Sequence, residues 1–341
     1  MDEIKNYYNE DLKIYRDCLK KKKIDFKKLI KYFSETDHLK DQRFDPESYY
    51  LPRKKDCGFV KFNIKNNDGK YVFYVSSYQT TNSQFNSFLI NSNYKCDYQY
   101  PKHEHNHPVA WVSLYDSIAY SKWINNIFKS KIIEQPTVKL SENFKELLAD
   151  SDYQICLLSH EEWIYASTLD KKISYPWGNK VSTNNCNFKT SKINKTCPVG
   201  CYIDGVSESG LFDLSGNTWE WLRTKWGPSF DERKYKNMKQ IDDDRDSINT
   251  EKKFLRAMKG GSFLVENKRL KINFEDAVPP ESTDDGDGFE PQGSNQRAIG
   301  ADIDIRTIDG DMILRLGRQG PRILSFLEFP NCLPGTEIAP A

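Results

Sequence analysis

The chain has 341 residues, with 50 Lys and Arg set against 49 Asp and Glu for a net charge of +1, a balance that argues against a nucleic-acid protein held by bulk charge. Aromatic residues make up 13% of it, and such side chains bury enough apolar area to exclude a disordered chain. No run approaches the ~20 apolar residues that a membrane helix needs. The first eight residues, Met1 to Tyr8, are polar and lack the apolar stretch of a secretory signal. A cytoplasmic location is therefore expected, with the 8 cysteines as reduced thiols. Cys186, Cys197 and Cys201 lie closest together, but without a CxxC or a nearby His they are not expected to hold zinc.

In chain order, residues 1–45 read as a helical extension. Ile4, Tyr7, Tyr8, Leu12, Tyr15 and Leu19 recur at helical steps, the basic run Lys20 to Lys23 follows, and Phe26, Leu29, Ile30 and Phe33 form a second stripe. The main domain is placed at 56–309. Within it Tyr71 to Val75 is rich in strand-forming residues, and Thr80 to Leu89 predicts a helix capped by Thr80 or Thr81. Ser113 to Asn125 predicts another, with Asp116 in its opening turn. Ser159 followed three residues later by Glu162 is a capping box. Beyond Tyr175 the chain turns to long ordered loops, with solvated insertions expected at Asp231 to Lys253 and Pro279 to Asn295. Residues 310–341 are expected to form an added hairpin and a loose tail.

Six motifs occur in a telling order. They are Tyr78-Gln-Thr-Thr-Asn-Ser-Gln-Phe85, His107-Pro-Val-Ala-Trp-Val-Ser113, Ser159-His-Glu-Glu-Trp-Ile-Tyr-Ala166, Tyr175-Pro-Trp-Gly-Asn179, Gly210-Leu-Phe-Asp-Leu-Ser-Gly-Asn-Thr-Trp-Glu-Trp221 and Arg256-Ala-Met-Lys-Gly-Gly-Ser-Phe263. In the fifth, strand alternation places Trp219 and Trp221 on one buried side and points Glu220 away. The succession resembles the formylglycine-generating enzyme, or sulfatase-modifying factor, superfamily. The resemblance implies an α+β, loop-rich fold, an elaborated version of the C-type lectin fold.

The resemblance also implies a copper-dependent oxidase whose metal is held by two cysteines shortly after Gly-Gly-Ser, since thiolates suit monovalent copper. By offset those positions fall on Val265 and Leu270, and no Cys occurs between Cys201 and Cys332, so no copper is expected. A second branch that the chain resembles, the iron-dependent sulfoxide synthases, uses three histidines. His103, His105 and His107 are the metal-like cluster here, with a surface loop holding one structural His as the competing reading. Calcium is the ion the resemblance favours, as a structural cofactor. It would be held by the Asp213 side chain and by the carbonyls of Leu214, Gly216 and Thr218, all hard oxygens. A second family site would begin at Asn187 and Phe188, but it lacks a carboxylate near Ser191. The acidic run Asp284, Asp285, Asp287 and Glu290 reads as a flexible loop. At the closing strand Arg306 is kept from the family's Gly-Phe-Arg motif, while Asp304 replaces the Gly.

The expectation is therefore a non-catalytic, calcium-stabilised scaffold that recognises a protein or glycan partner, with no nucleic acid and no membrane span. Its binding surface is placed around Trp219, Ser262, Phe263 and Arg306. One alternative is a metal-dependent oxidase acting on a thiol or peptide through a non-standard site. Another is a subunit of a larger assembly, homo- or hetero-oligomeric through residues 1–45.

Overall fold

The computed structural model describes residues 41–66, 69–101, 104–151, 153–234, 244–248, 254–283 and 315–318. The helical reading of residues 1–40 lies outside them, and so do His103, Arg306, the acidic run from Asp284 and most of the expected C-terminal hairpin. Residues 44–45 are not helical: strand β1 (Phe44–Asp45) pairs antiparallel with β2 (Leu51–Pro52).

A hairpin of β3 (Phe59–Asn66) and β4 (Gly69–Ser76) forms the spine of the main sheet, in the register Phe62 opposite Phe73. Period-two alternation sorts its side chains between two cores. Phe59 and Tyr74 face one core, where Phe59 packs on Phe128 and Phe144 at ring distances of 5.7 and 5.5 Å. Phe62, Phe73 and Val75 face the other, with Trp163, Leu158 and Trp226. Both faces of β4 are covered from Val72 to Val75, where it reads as a continuous apolar run, whereas β3 keeps Lys61 and Asn63 exposed.

The helices that cover it start where the caps predict. Helix α1 (Asn82–Ser92) is capped by Thr81, whose hydroxyl accepts from Gln84 N while the Gln84 side chain accepts from Thr81 N at 2.7 Å. Helix α2 (Leu114–Ser130) is capped by Ser113 with Asp116 reciprocating at 2.8 Å. Helix α3 (Glu142–Ala149), absent from the sequence expectation, buries only Phe144 and Leu148, too short a stripe to stand out in eight residues. After β5 (Tyr153–Cys156) comes helix α4 (His160–Thr168), closed by the predicted box of Ser159 and Glu162.

A second antiparallel sheet joins β6 (Glu220–Lys225), β7 (Arg256–Lys259) and β8 (Asp276–Val278) in that order. Residues Arg315–Arg318, the described part of the expected C-terminal hairpin, insert as strand β9 between β4 and β5 and pair antiparallel with both. One expectation is corrected here. The charged insertion after Asp231 is not merely solvated. Arg233 pairs with Glu275, Asp244 lies 3.0 Å from the buried Lys225 ammonium, and Thr224 donates to Asp246. Buried charges such as Lys225 and Arg223 need these carboxylates, so the insertion neutralises the outer face of β6.

Among the described residues no helix is long and apolar enough to cross a membrane.

Candidate functional site

The segment from Gly210 to Trp221 makes a tight turn before β6 and is tied to the double glycine after β7. Gly216 N donates to Gly260 O at 2.9 Å, Phe263 N to Asn217 O at 3.0 Å, and Ser215 Oγ to Leu270 O at 2.9 Å. Asn217 sits in the left-handed region at φ 68° and uses its side chain on both polar groups of Cys197, accepting from Cys197 N at 2.8 Å and donating to Cys197 O at 3.1 Å. These contacts bring two sequence-distant motifs onto one point.

Gly261 has φ +75°, and a β-carbon there would lie 3.0 Å from Leu270 Cδ2 and 3.1 Å from Val265 Cγ2. The two positions singled out from the sequence are therefore neighbours in space, converging from both sides on Gly261. Val265 is 3% exposed and Leu270 fully buried, so the place where relatives are expected to carry sulfur is packed with methyl groups. The cysteines that are described lie elsewhere as free thiols. Burial pushes Cys57 and Cys197 up to about 12 and Cys156 up to about 11, far from the thiolate form that binds soft metals.

On the other side of the double glycine is an oxygen-lined cradle. A β-carbon on Gly260, at φ +94°, would stand 3.3 Å from Leu214 O, 3.7 Å from Thr218 O and 3.9 Å from Cδ of Glu220. The Gln79 side-chain amide closes it, its nitrogen lying 3.2 Å from Asp213 O, 3.4 Å from Thr218 O and 3.3 Å from Glu220 Oε1. Glu220 is the residue that sequence reasoning missed. Alternation does separate it from Trp219 and Trp221, but the far side is interior too: Glu220 is 1% exposed and accepts from the Trp163 indole. Burial pushes its carboxyl up to about 8, against the hydrogen bonds from Trp163 and Gln79. The signal that could have found it is the motif itself, where a carboxylate stands two residues past the carbonyl of Thr218.

Asp213, expected to lead the calcium ligands, turns its carboxylate to Gly200, accepting from its N–H at 2.6 Å. Burial raises it to about 6, opposed by that bond and by Arg43. The oxygens gathered at Gly260 are thus the Leu214 and Thr218 carbonyls and the Glu220 carboxylate, hard donors of which the last two already accept from the Gln79 amide. Gly216 N is taken by Gly260 O, and Asn187 O, which accepts from Asn217 N at 2.8 Å, lies 2.4 Å from where a β-carbon on Gly216 would stand.

Of the histidine run, His105 and His107 are described, and they engage different partners. His105 Nδ1 pairs with the Tyr100 hydroxyl, while His107 is buried with Nδ1 2.8 Å from Thr196 Oγ1. Burial, with Lys195 and His105 adding to it, pushes His107 down to about 3, so it stays neutral and clamps two loops. Among the described residues no three His, Cys, Asp or Glu side chains converge as a metal site.

Of the expected recognition surface, Trp219 (1% exposed), Ser262 (0%) and Phe263 (7%) lie inside the molecule. Trp219 packs on Phe274 at 6.1 Å, and Arg269 covers both rings while its guanidinium lies 3.2 Å from Asp276.

Against known families, residues 66–290 match the model of the sulfatase-modifying factor enzyme 1-like domain. The inactive C-alpha-formylglycine-generating enzyme 2 of Bos taurus is 27% identical over 148 residues, 39% of this chain and 42% of that protein. Its Mus musculus counterpart is 32% identical over 83 residues, 21% of this chain and 27% of that protein. The chain thus spans less than half the length of these curated relatives. Among solved structures, Treponema denticola variable protein 1 overlays with a TM-score of 0.44 at 15% identity, covering 76% of this chain and 93% of its own. PvdO from Pseudomonas aeruginosa overlays with 0.43 at 12%, covering 76% and 92%.

Proposed function

Because this chain belongs to the sulfatase-modifying factor enzyme 1-like family, we propose that it acts as a non-catalytic scaffold, stabilised by calcium, whose loops recognise a protein or glycan partner. The observation that carries the first part is the apolar pair beside Gly261. Val265 and Leu270 meet where a soft metal would need two thiolates, and neither side chain has a donor atom. The two relatives that bear the word inactive in their names support the same reading.

Calcium is supported by the cradle at Gly260. Leu214 O, Thr218 O and the Glu220 carboxylate would hold the ion, which would join the turn before β6 to the end of β7. Glu220 would enter as its anion, so binding would release a proton near neutral pH.

Recognition is supported by the build of the molecule: rigid sheets on two cores carry long loops, and Trp111 is 42% exposed and Phe230 47% on that frame. The test is threefold. A sulfatase-derived cysteine peptide incubated with the protein, monovalent copper and oxygen is expected to remain unconverted; turnover would end the non-catalytic reading. Calcium is expected to raise the melting temperature over that in chelator, and an unchanged temperature would remove the ion. A glycan array and cross-linking in cells are expected to return at least one specific ligand, and two blank results would remove recognition.

A further inference from the structure

Away from the double glycine lies a groove of about 520 Å³ between the end of α4, the Pro176–Gly178 turn and the loop at 203–209. Its wall is apolar at Leu169, Ile173, Ile203 and Val206. At one end stands Trp177, which is held rigidly. Its ring lies 5.5 Å from that of Tyr175 at an interplanar angle of 8°, and its indole N–H donates to Lys180 O at 2.8 Å. A fixed indole with its donor already used presents only its π face.

The polar groups of the lining share one character. The hydroxyls of Ser167, Thr168 and Ser209 donate to Trp163 O, Ile164 O and Ala166 O at 2.7, 2.9 and 3.1 Å, so their hydrogens are taken. What remains are acceptors, the carboxylates of Asp204 and Glu208, beside the C-terminal end of α4, where the helix dipole is negative. Lys171 is the cation of the lining, and it pairs directly with Glu208 at the rim, where the two side chains are 53% and 63% exposed.

From this groove we infer a binding site for an alkylammonium group on an aliphatic stem, the chemistry of a lysine side chain in a partner peptide or of a free diamine. The stem lies along Leu169, Ile173 and Val206, while the ammonium sits over the Trp177 face and within reach of Asp204 and Glu208. Lys171 is then a built-in competitor, already occupying Glu208 when the site is free. The inference deepens the recognition reading and rests on it, but it concerns one groove, so it fails separately.

The experiment is a calorimetric titration of the full chain with three probes: a Gly-Lys-Gly peptide blocked at both ends, the same peptide with norleucine for lysine, and 1,5-diaminopentane. The lysine peptide is expected to bind about tenfold tighter than its norleucine isostere, and Asp204→Asn, at an exposed position, to weaken it about fivefold. Trp177→Ala is expected to weaken it by about the same factor, and Lys171→Gln to tighten it about threefold, because a competing cation is gone. The Lys171 variant separates this site from a merely structural role, since lost structure would not improve binding. Binding of the diamine with none of the peptide supports the site and assigns its ligand as a free amine. Equal affinity for lysine and norleucine, or no heat from either cation, would overturn the inference whatever the glycan array and cross-linking return.

Discussion

Gly260 and Gly261 divide two chemistries with the width of one peptide. On one side Val265 and Leu270 come within about the same distance of a single point, 3.1 and 3.0 Å; on the other, carbonyls and a carboxylate gather. Two side chains without a donor atom therefore face the point where the resemblance implies a two-sulfur site. The double variant Val265→Cys with Leu270→Cys is expected to gain tight binding of monovalent copper, measured by competition with a chromogenic chelator, while the parent gains none at that position. If the double variant competes no better than the parent, the two positions do not face one another closely enough, and the account of the apolar plug fails. Glu220 carries the opposite lesson. Its place in a strand was legible from the alternation of Trp219, Glu220 and Trp221, but its burial was not, because the second core on the far side joins its neighbours Leu214 and Leu222 to residues more than fifty positions away, Trp163 among them.

At the scale of elements, three of the four described α-helices begin where local chemistry says they should. A capping box needs only residues three apart, and Thr81, Ser113 and Ser159 each found a partner within that span. Strand β9 is the contrary case. Its sequence is short and its partners lie more than a hundred and fifty positions earlier, so nothing local marks it as the bridge between β4 and β5. The register is Leu316 opposite Tyr74 on one side and Ile155 on the other. A chain ended at residue 309 would lack this bridge and leave the facing edges of β4 and β5 unpaired. It is expected to melt at least about 5 °C lower than the full chain or to aggregate, because open edges in a central sheet invite pairing with other chains. An unchanged melting temperature by circular dichroism would show that β9 adds nothing to the sheet.

Over the whole molecule, buried ionisable groups set how stability responds to pH. Glu220 is pushed up to about 8 from the ordinary carboxylate range, so between these values the folded state holds a proton that the unfolded state has lost. Stability contributed there falls as pH rises. Asp213, raised to about 6, acts in the same direction below that pH. His107, pushed down to about 3, acts oppositely up to the usual histidine range, since its unfolded form takes the proton first. Lys259, buried and lowered to about 8, adds stability only as pH climbs above that value. Glu275, against the upward push of its own burial, is held at about 2 by His160, Arg233 and Lys259, so its contribution disappears as acid takes the pH below the normal carboxylate range. In chelator, the melting temperature is therefore expected to decline from about pH 6.5 to 8, the window that Glu220 dominates, and calcium is expected to cancel that decline. A rise through the window would count against Glu220 as the controlling group.

By itself the sequence determined the family, the starts of three helices, the sides taken by Trp219, Glu220 and Trp221, and the absence of sulfur at positions 265 and 270. Each of these follows from short spacings or from the identity of a residue at a motif position. The tertiary structure alone decided that Glu220 is interior, that Trp219, Ser262 and Phe263 are covered, that Asp213 turns to Gly200, and that the charged insertion serves the buried cations of β6. Burial and charge pairing depend on what the rest of the chain brings alongside, and pairing across a hundred residues leaves no periodic trace in either partner.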